Sequence, residues 1–154
     1  MSSHTLTAPA MPQAEINQYP RQDLVSIRDL TPSQIDGIMQ LSTRLKARPE
    51  DFRTALSGKH IAMFFEKPSL RTRLTFEAGV CGLGGSVSFV DQTHERLDAR
   101  ETLKDIAHNL ERWVSAIVLR TFAHATVERV AEFANAPVIN ALSELDIPAR
   151  RWRI

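Results

Sequence analysis

The sequence predicts an α/β fold, in which a mainly parallel sheet carries helices on both faces. Short apolar runs alternate with segments whose apolar residues recur every three or four positions, the pattern of strands separated by helices. The runs are apolar at nearly every position, which is typical of parallel strands because helices cover both of their faces. The predicted strands cover residues 60–65, 86–90, 115–119 and 137–140.

Capping signals and apolar periodicity place the helices between these strands. Residues 31–34, Thr-Pro-Ser-Gln, combine a capping-box pattern with proline at the first helical position. The glycines at residues 84–85 predict the end of a second helix, and Asp98 and Glu101 are the expected caps of a third. Cys81 lies in the apolar pattern of the second helix, so we expect it to be buried. The predicted helices cover residues 32–46, 71–83, 103–110 and 127–134.

Length and composition describe one ordinary domain and exclude several classes of protein. At 154 residues the chain can bury one core, and 43% hydrophobic with 24% charged residues is a globular balance. The net charge of +1 does not favour nucleic acid, and no apolar run approaches the ~20 residues of a membrane span. One cysteine excludes an internal disulfide and suits a cytoplasmic location. Residues 1–20 are expected to be a mobile tail, and residues 21–146 the domain.

Residues 69–73, Ser-Leu-Arg-Thr-Arg, carry the main chemical signal. They place two hydroxyls and two guanidinium groups at a strand-to-helix junction, where helix amides lack partners and the helix dipole is positive. Ser69, Arg71 and Thr72 would there form a site for a phosphate-like anion. Spacing alone fits equally well an N-cap serine followed by two solvated arginines. The acidic residues available to pair with Arg73 are Glu66 and Glu77.

Polar side chains also follow the other predicted strands. Asp91, Arg120 and Ser143 fall at or just after strand ends. Because the carboxyl ends of parallel strands share one edge of the sheet, where such sheets bind ligands, we expect these residues to lie near Ser69. The alternative for Arg120 is a solvated arginine at the end of a strand.

Ser-x-Arg-Thr-Arg after a Phe-Glu strand end resembles the carbamoyl phosphate signature of the aspartate/ornithine carbamoyltransferases. The resemblance runs from about Leu24 to Asp146. It implies the carbamoyl phosphate-binding half of a carbamoyltransferase, an enzyme that transfers a carbamoyl group from phosphate to an amine. The matching motifs follow one another at residues 69–73, 83–85 (Leu-Gly-Gly), 101–105 (Glu-Thr-Leu-Lys-Asp), 117–121 (Ile-Val-Leu-Arg-Thr) and 137–143 (Pro-Val-Ile-Asn-Ala-Leu-Ser).

The resemblance also implies roles for individual residues. Ser69, Arg71, Thr72 and the backbone N–H of Leu70 would hold the phosphate group of carbamoyl phosphate. Many relatives have threonine where this chain has Leu70, so one hydroxyl is absent here. Arg120 matches the family arginine that contacts the phosphate and the carbonyl oxygen, and it is the expected catalytic residue. No metal or organic cofactor is implied, and the histidines show no shared metal-ligand spacing.

The predicted acceptor amine is L-ornithine, with L-citrulline and phosphate as products, a step of arginine biosynthesis. Phe-Glu-Lys at residues 65–67 looks like the ornithine branch, and residues 91–100 lack the lysine that aspartate enzymes carry before the Glu-Thr motif. An aspartate-type fragment stays open, as does a stand-alone or regulatory module that binds phosphate or carbamoyl phosphate. A Rossmann-like nucleotide binder ranks last, because no Gly-x-Gly-x-x-Gly follows a strand. By resemblance, the intact enzyme would be a homotrimer.

The resemblance breaks at Ile147. The family continues His-Pro-Cys-Gln-Ala-Leu-Ala-Asp, whose histidine and glutamine bind the carbamoyl group, but Ile147 and Arg150 occupy those positions here. Removing one base from codons for the family octet yields Ile-Pro-Ala-Arg-Arg-Trp-Arg-Ile, the whole of residues 147–154. We therefore expect an aberrant, loosely packed tail produced by a frameshift, no amino-acid-binding domain, and no catalysis by this chain alone.

The frameshift hypothesis predicts the DNA that follows the codon for Asp146. Restoring one base there should regenerate His-Pro-Cys-Gln and open a reading frame into a second domain. Sequencing the gene tests this directly. An early stop codon in the repaired frame, or a frame that encodes no second domain, would contradict the hypothesis.

Overall fold

A computed structural model describes residues 23–92, 97–99 and 101–144 of the chain. The tails predicted at residues 1–20 and 147–154 lie outside the described residues, as does part of the polar loop before Glu101. Two short 3-10 turns, Ile27–Asp29 and Pro49–Phe52, were not predicted. The main elements are α1 (Pro32–Ala47), β1 (His60–Phe65), α2 (Leu70–Gly82), β2 (Ser86–Asp91), α3 (Leu103–Leu110), β3 (Ala116–Arg120), α4 (His124–Phe133) and β4 (Val138–Leu142).

In the described part of the chain, the strands form one parallel sheet in the order β2-β1-β3-β4. This confirms the predicted fold class. The chain runs outward from β1 to β2, then crosses back over β1 to reach β3. The connecting helices α2 and α3 therefore lie on opposite faces, and a crevice opens where the direction changes, at the carboxyl ends of β1 and β3.

Strand side chains alternate between two cores, one on each face of the sheet. Helices α3 and α4 cover the first core, to which the sheet contributes Ala62, Phe64, Ile117, Leu119 and Val138. Helix α2 covers the second through Phe76 and Val80, and the sheet there contributes Ile61, Met63, Phe65, Val118 and Ala141. Odd-numbered and even-numbered residues of one strand therefore point toward different helices. This parity decides which strand-end side chains can reach the start of α2.

The free edge of β4 is covered by the segment that precedes α1. Leu24 donates its N–H to the Val138 carbonyl at 2.8 Å and accepts the Asn140 N–H at 2.9 Å. The Asp23 carboxylate accepts the N–H of Val138 at 2.7 Å. These contacts occupy backbone groups that would otherwise expose a strand edge. The sequence pattern gave no sign of this pairing, because a single bridge needs no periodicity.

Three local predictions were wrong. Helix α3 is capped by Thr102, whose hydroxyl accepts the N–H of Asp105 at 3.2 Å, and not by Asp98 or Glu101. Helix α4 begins at His124, earlier than the predicted residue 127, because its first turn is anchored by tertiary contacts and not by apolar periodicity. Cys81 is exposed, since it follows Val80 by one residue and is turned about 100° around the helix from that core contact.

Gly84, which follows α2, occupies a position that only glycine fits. Its φ is +85°, and a Cβ there would lie 2.5 Å from the Arg53 carbonyl oxygen. The positive φ disfavours any L side chain, and the approach of a backbone oxygen leaves no room for one. The turn between α2 and β2 therefore depends on this residue.

Substitution of Gly84 by alanine should lower the free energy of unfolding by about 1–3 kcal/mol, because strain and a backbone clash act together. Gly79→Ala is the matched control. Gly79 is helical with open space around its Cβ position, so alanine there should stabilise the protein by up to about 1 kcal/mol. Urea denaturation of both variants gives the comparison. Equal stability of the two would contradict the role of Gly84.

Candidate functional site

The first turn of α2 lies at the carboxyl end of β1, beside the crevice. Ser69 is the N-cap residue: its hydroxyl accepts the N–H of Thr72 at 3.4 Å and donates to the Thr72 hydroxyl at 2.9 Å. The amides of Leu70 and Arg71 belong to the first turn, where backbone N–H groups have no intrahelical acceptor. Capping and anion binding are compatible here, because the cap uses the Thr72 N–H and not those of Leu70 and Arg71.

The two arginines of the signature differ in their surroundings. Arg71 is exposed, and Leu70, with 72% of its surface exposed, is too. Arg73 instead pairs with Glu77, with 2.8 Å between its Nε and the carboxylate oxygen, and its guanidinium lies 3.8 Å from the centre of the Phe89 ring. Of the two acids expected for Arg73, Glu77 is therefore the partner. These contacts hold Arg73 against α2 and β2, away from the first turn.

Arg120 reaches the same turn from β3. It is only 6% exposed, so the alternative of a solvated strand-end arginine is wrong. Its Nε donates to the Lys67 carbonyl at 3.2 Å, and its Nη1 donates to the Thr72 hydroxyl at 3.5 Å. Strand parity puts Arg120 on the α2 face, two residues after Val118 of the α2-side core. The structure thus brings together Ser69, Thr72 and Arg120 across a gap of about fifty residues in sequence.

Glu66 holds the loops around this site, and sequence reasoning missed that role. Its carboxylate is buried, with the residue 4% exposed. One oxygen accepts the N–H of Leu97 at 3.2 Å and the other accepts the N–H of Phe122 at 2.9 Å. Its own N–H donates to the Arg120 carbonyl at 2.8 Å. An acidic residue directly after five apolar ones was the available signal, because a carboxylate so close to the core requires donors.

The other two strand-end residues, Ser143 and Asp91, have different surroundings. Ser143 is buried, and its hydroxyl contacts the His124 ring at 2.7 Å, so it faces α4 and not α2. Asp91 is exposed at the end of the edge strand β2. Among the described residues, no group of three or more histidines, cysteines or acids could hold a metal ion. None of the described helices is both long enough and apolar enough to cross a membrane.

The site combines three kinds of donor that suit a tetrahedral oxyanion. They are the amides at the start of α2, the hydroxyls of Ser69 and Thr72, and the guanidinium group of Arg120. A second cation, Lys67, lies 4.8 Å above the Phe122 ring at the crevice. Charge-assisted hydrogen bonds from such groups are roughly twice as strong as neutral ones. This arrangement is chemically competent to bind a phosphate group.

The sequence matches the aspartate/ornithine carbamoyltransferase, carbamoyl-P binding domain family over residues 22–150. The chain belongs to this family. The resemblance inferred from the motifs is therefore confirmed. The match includes residues 147–150, which begin the segment predicted to be aberrant, and the origin of that segment stays a prediction.

Curated relatives are named ornithine carbamoyltransferase. The one from Shewanella oneidensis is 46% identical over 126 residues, which are 82% of this chain and 42% of the relative. The one from Thermus thermophilus is 43% identical over 126 residues, 80% of this chain and 40% of the relative. This chain therefore spans about two fifths of the length of the curated relatives it matches.

Solved structures of ornithine carbamoyltransferases share the fold. The one from Burkholderia thailandensis has a TM-score of 0.78 at 32% identity, with 84% of this chain and 45% of that chain covered. The one from Thermus thermophilus has a TM-score of 0.71 at 43% identity, with 79% of this chain and 42% of that chain covered. The parallel sheet and its helices are thus the carbamoyl phosphate-binding domain fold of the family.

Replacing Glu66 by glutamine should destabilise the protein by about 1–3 kcal/mol. Glutamine has one oxygen for the two backbone N–H groups, so its NH₂ group would face one of them and leave it without an acceptor. Glu77→Gln removes the same charge from the more exposed pair with Arg73 and should cost about 1 kcal/mol or less. Urea denaturation of both variants compares the two carboxylates. If Glu66→Gln costs no more than Glu77→Gln, the buried carboxylate does not hold the loops.

Proposed function

We propose that this chain binds carbamoyl phosphate as the carbamoyl phosphate-binding domain of an ornithine carbamoyltransferase. The backbone N–H of Leu70 and the side chains of Ser69, Arg71 and Thr72 hold the phosphate group. Arg120 reaches both the phosphate and the carbonyl oxygen. The observation that carries the proposal is the buried Arg120 guanidinium beside the Thr72 hydroxyl and the capped first turn of α2.

Each group has a physical task in carbamoyl transfer. The amine of the acceptor attacks the carbonyl carbon, a tetrahedral intermediate forms, and phosphate leaves with the electrons of the broken C–O bond. Negative charge grows on the carbonyl oxygen and then on the departing phosphate. Arg120 is positioned between two anchors, so it stabilises this charge with little reorganisation. The helix dipole and the amides of α2 do the same for the phosphate.

The acceptor is proposed to be L-ornithine, giving L-citrulline and phosphate. The names of the curated relatives support this choice. A role in arginine biosynthesis, a cytoplasmic location and assembly as a homotrimer form part of the same proposal. A stand-alone phosphate-binding module would use the same donors. One outcome separates the two functions. When the domain is joined to the remaining part of the relatives' length, a stand-alone module would still bind phosphate but would form no citrulline.

Arg71→Ala should weaken binding of phosphate to the purified chain by roughly 10- to 100-fold, the equivalent of one charge-assisted hydrogen bond of about 1.5–3 kcal/mol. Isothermal titration calorimetry at low salt measures the affinity. Arg48→Ala is the control, since it also removes one positive charge but from an exposed pair with Asp51 before the amino end of β1. Equal affinity in Arg71→Ala and the wild type would rule out the proposed site.

A further inference from the structure

The pairing between β3 and β4 is irregular where β3 ends. Leu119 pairs with Asn140, but Arg120 pairs with Leu142, so β4 has one extra residue, Ala141, at this point. Such a bulge bends the strand and changes the direction of nearby side chains. The residue on the partner strand at this bulge is Arg120, the buried arginine of the anion site. Whatever fixes the bulge therefore also constrains the backbone from which the Arg120 side chain extends.

A buried hydrogen-bond chain lies across this bulge. The Asn140 side chain, with the residue fully buried, donates its Nδ2 to the Val25 carbonyl at 2.9 Å and to the Ser143 hydroxyl at 3.1 Å. The Val25 carbonyl fixes the orientation of the amide, because only the nitrogen can donate to it. Its Oδ1 finds no donor among the described residues. The two Nδ2 bonds, and not the oxygen, therefore set the orientation of the amide.

The chain of donors favours one tautomer of His124. Ser143 accepts from Asn140, which leaves its own hydrogen available to His124 Nδ1, 2.7 Å away. The Asn140 Nδ2 lies 3.4 Å from the same ring nitrogen. Both Asn140 Nδ2 hydrogens are given to Val25 and Ser143, so the Ser143 hydroxyl is the group that can donate to Nδ1, and the tautomer with a bare Nδ1 completes the chain. The proton is then on Nε2, which lies 3.6 Å from a Glu128 carboxylate oxygen.

The backbone around His124 connects the same two segments. The His124 N–H points to a Glu144 carboxylate oxygen at 3.4 Å, and the Glu144 N–H donates to the Phe122 carbonyl at 3.2 Å. Thr121, next to Arg120, donates its N–H to the Leu142 carbonyl at 3.1 Å. Because Ala123 gives α4 no side-chain cap, the exit of β4 supplies the acceptor in its place. The residues on both sides of the bulge are therefore joined through the start of α4.

We propose that His124 is a positioning residue for Arg120. By accepting the Ser143 hydrogen at Nδ1, it closes the Asn140–Ser143–His124 chain and holds the bulge that directs the Arg120 guanidinium toward Lys67 and Thr72. His124 itself is 6% exposed and does not contact the anion site. It acts through the backbone of residues 120–124. The positioning of Arg120 does not depend on the proposed function. Only the expected loss of phosphate affinity rests on that function.

Two substitutions separate this role from simple packing. His124→Leu fills similar space without an acceptor, whereas His124→Asn places an amide oxygen near the position of Nδ1. In ¹⁵N-labelled chain, the Nε–H signal of Arg120, assigned by its loss in Arg120→Lys, reports the bond to the Lys67 carbonyl. The leucine variant should raise the solvent exchange rate of this N–H and the phosphate Kd, each roughly tenfold. The asparagine variant should leave both within about threefold of wild type.

The nitrogen shifts of His124 in the wild-type chain test the same proposal without any substitution. Nδ1 should show the shift of an unprotonated ring nitrogen and Nε2 that of a protonated one. A proton on Nδ1 would overturn the proposal, as would a folded His124→Leu variant with unchanged exchange at Arg120. Should that variant fail to fold, Ser143→Ala removes the same bond with a smaller change. If the wild type binds no phosphate, the proposed function fails, while the exchange rates still decide the role of His124.

Discussion

The arrangement of the site depends on the hydrogen bonds that the buried Glu66 carboxylate accepts. A parallel sheet brings the ends of β1 and β3 side by side, but it does not by itself fix the loops that follow them. Glu66 does so, because its two oxygens accept amides from Leu97 and Phe122 and its N–H binds the Arg120 carbonyl. A buried carboxylate without donors would be strongly unfavourable. The loops therefore keep the positions that supply those donors.

In a nearly neutral protein, the proposed anion binding has to come from local groups. The net charge of +1 gives no long-range attraction, so binding must come from groups within a few ångströms of the ligand. The first turn of α2 provides unpaired amides, and Arg120 provides a charge that is held by the Lys67 carbonyl and the Thr72 hydroxyl. Holding the guanidinium before the ligand arrives lowers the entropy lost on binding. Burial also strengthens its interaction with an anion.

Arg73 shows why a motif cannot be interpreted by residue type alone. Arg71 and Arg73 are two positions apart on a helix, so they point to different sides of it. Arg71 is exposed in the first turn, whereas Arg73 is occupied by Glu77 and the Phe89 ring. One arginine is thus available to a ligand and the other joins α2 to β2. Cys81 makes the same point for burial, because an apolar helical pattern did not reveal which face α2 turns to the sheet.

The sequence by itself determined the alternation of strands and helices, the parallel sheet and the family, and it offered the cap at Ser69 as one interpretation of its motif. These features depend on local periodicity, on capping chemistry and on short motifs, all of which can be recognised within a few residues. Only the tertiary structure decided that Glu66 joins three loops, that Arg120 is buried beside Thr72, and that Ser143 faces His124 and not the proposed anion site. Those outcomes depend on strand order, on the parity of side chains and on a one-residue bulge in β4. Each brings together residues far apart in the chain, and no local pattern encodes such a contact.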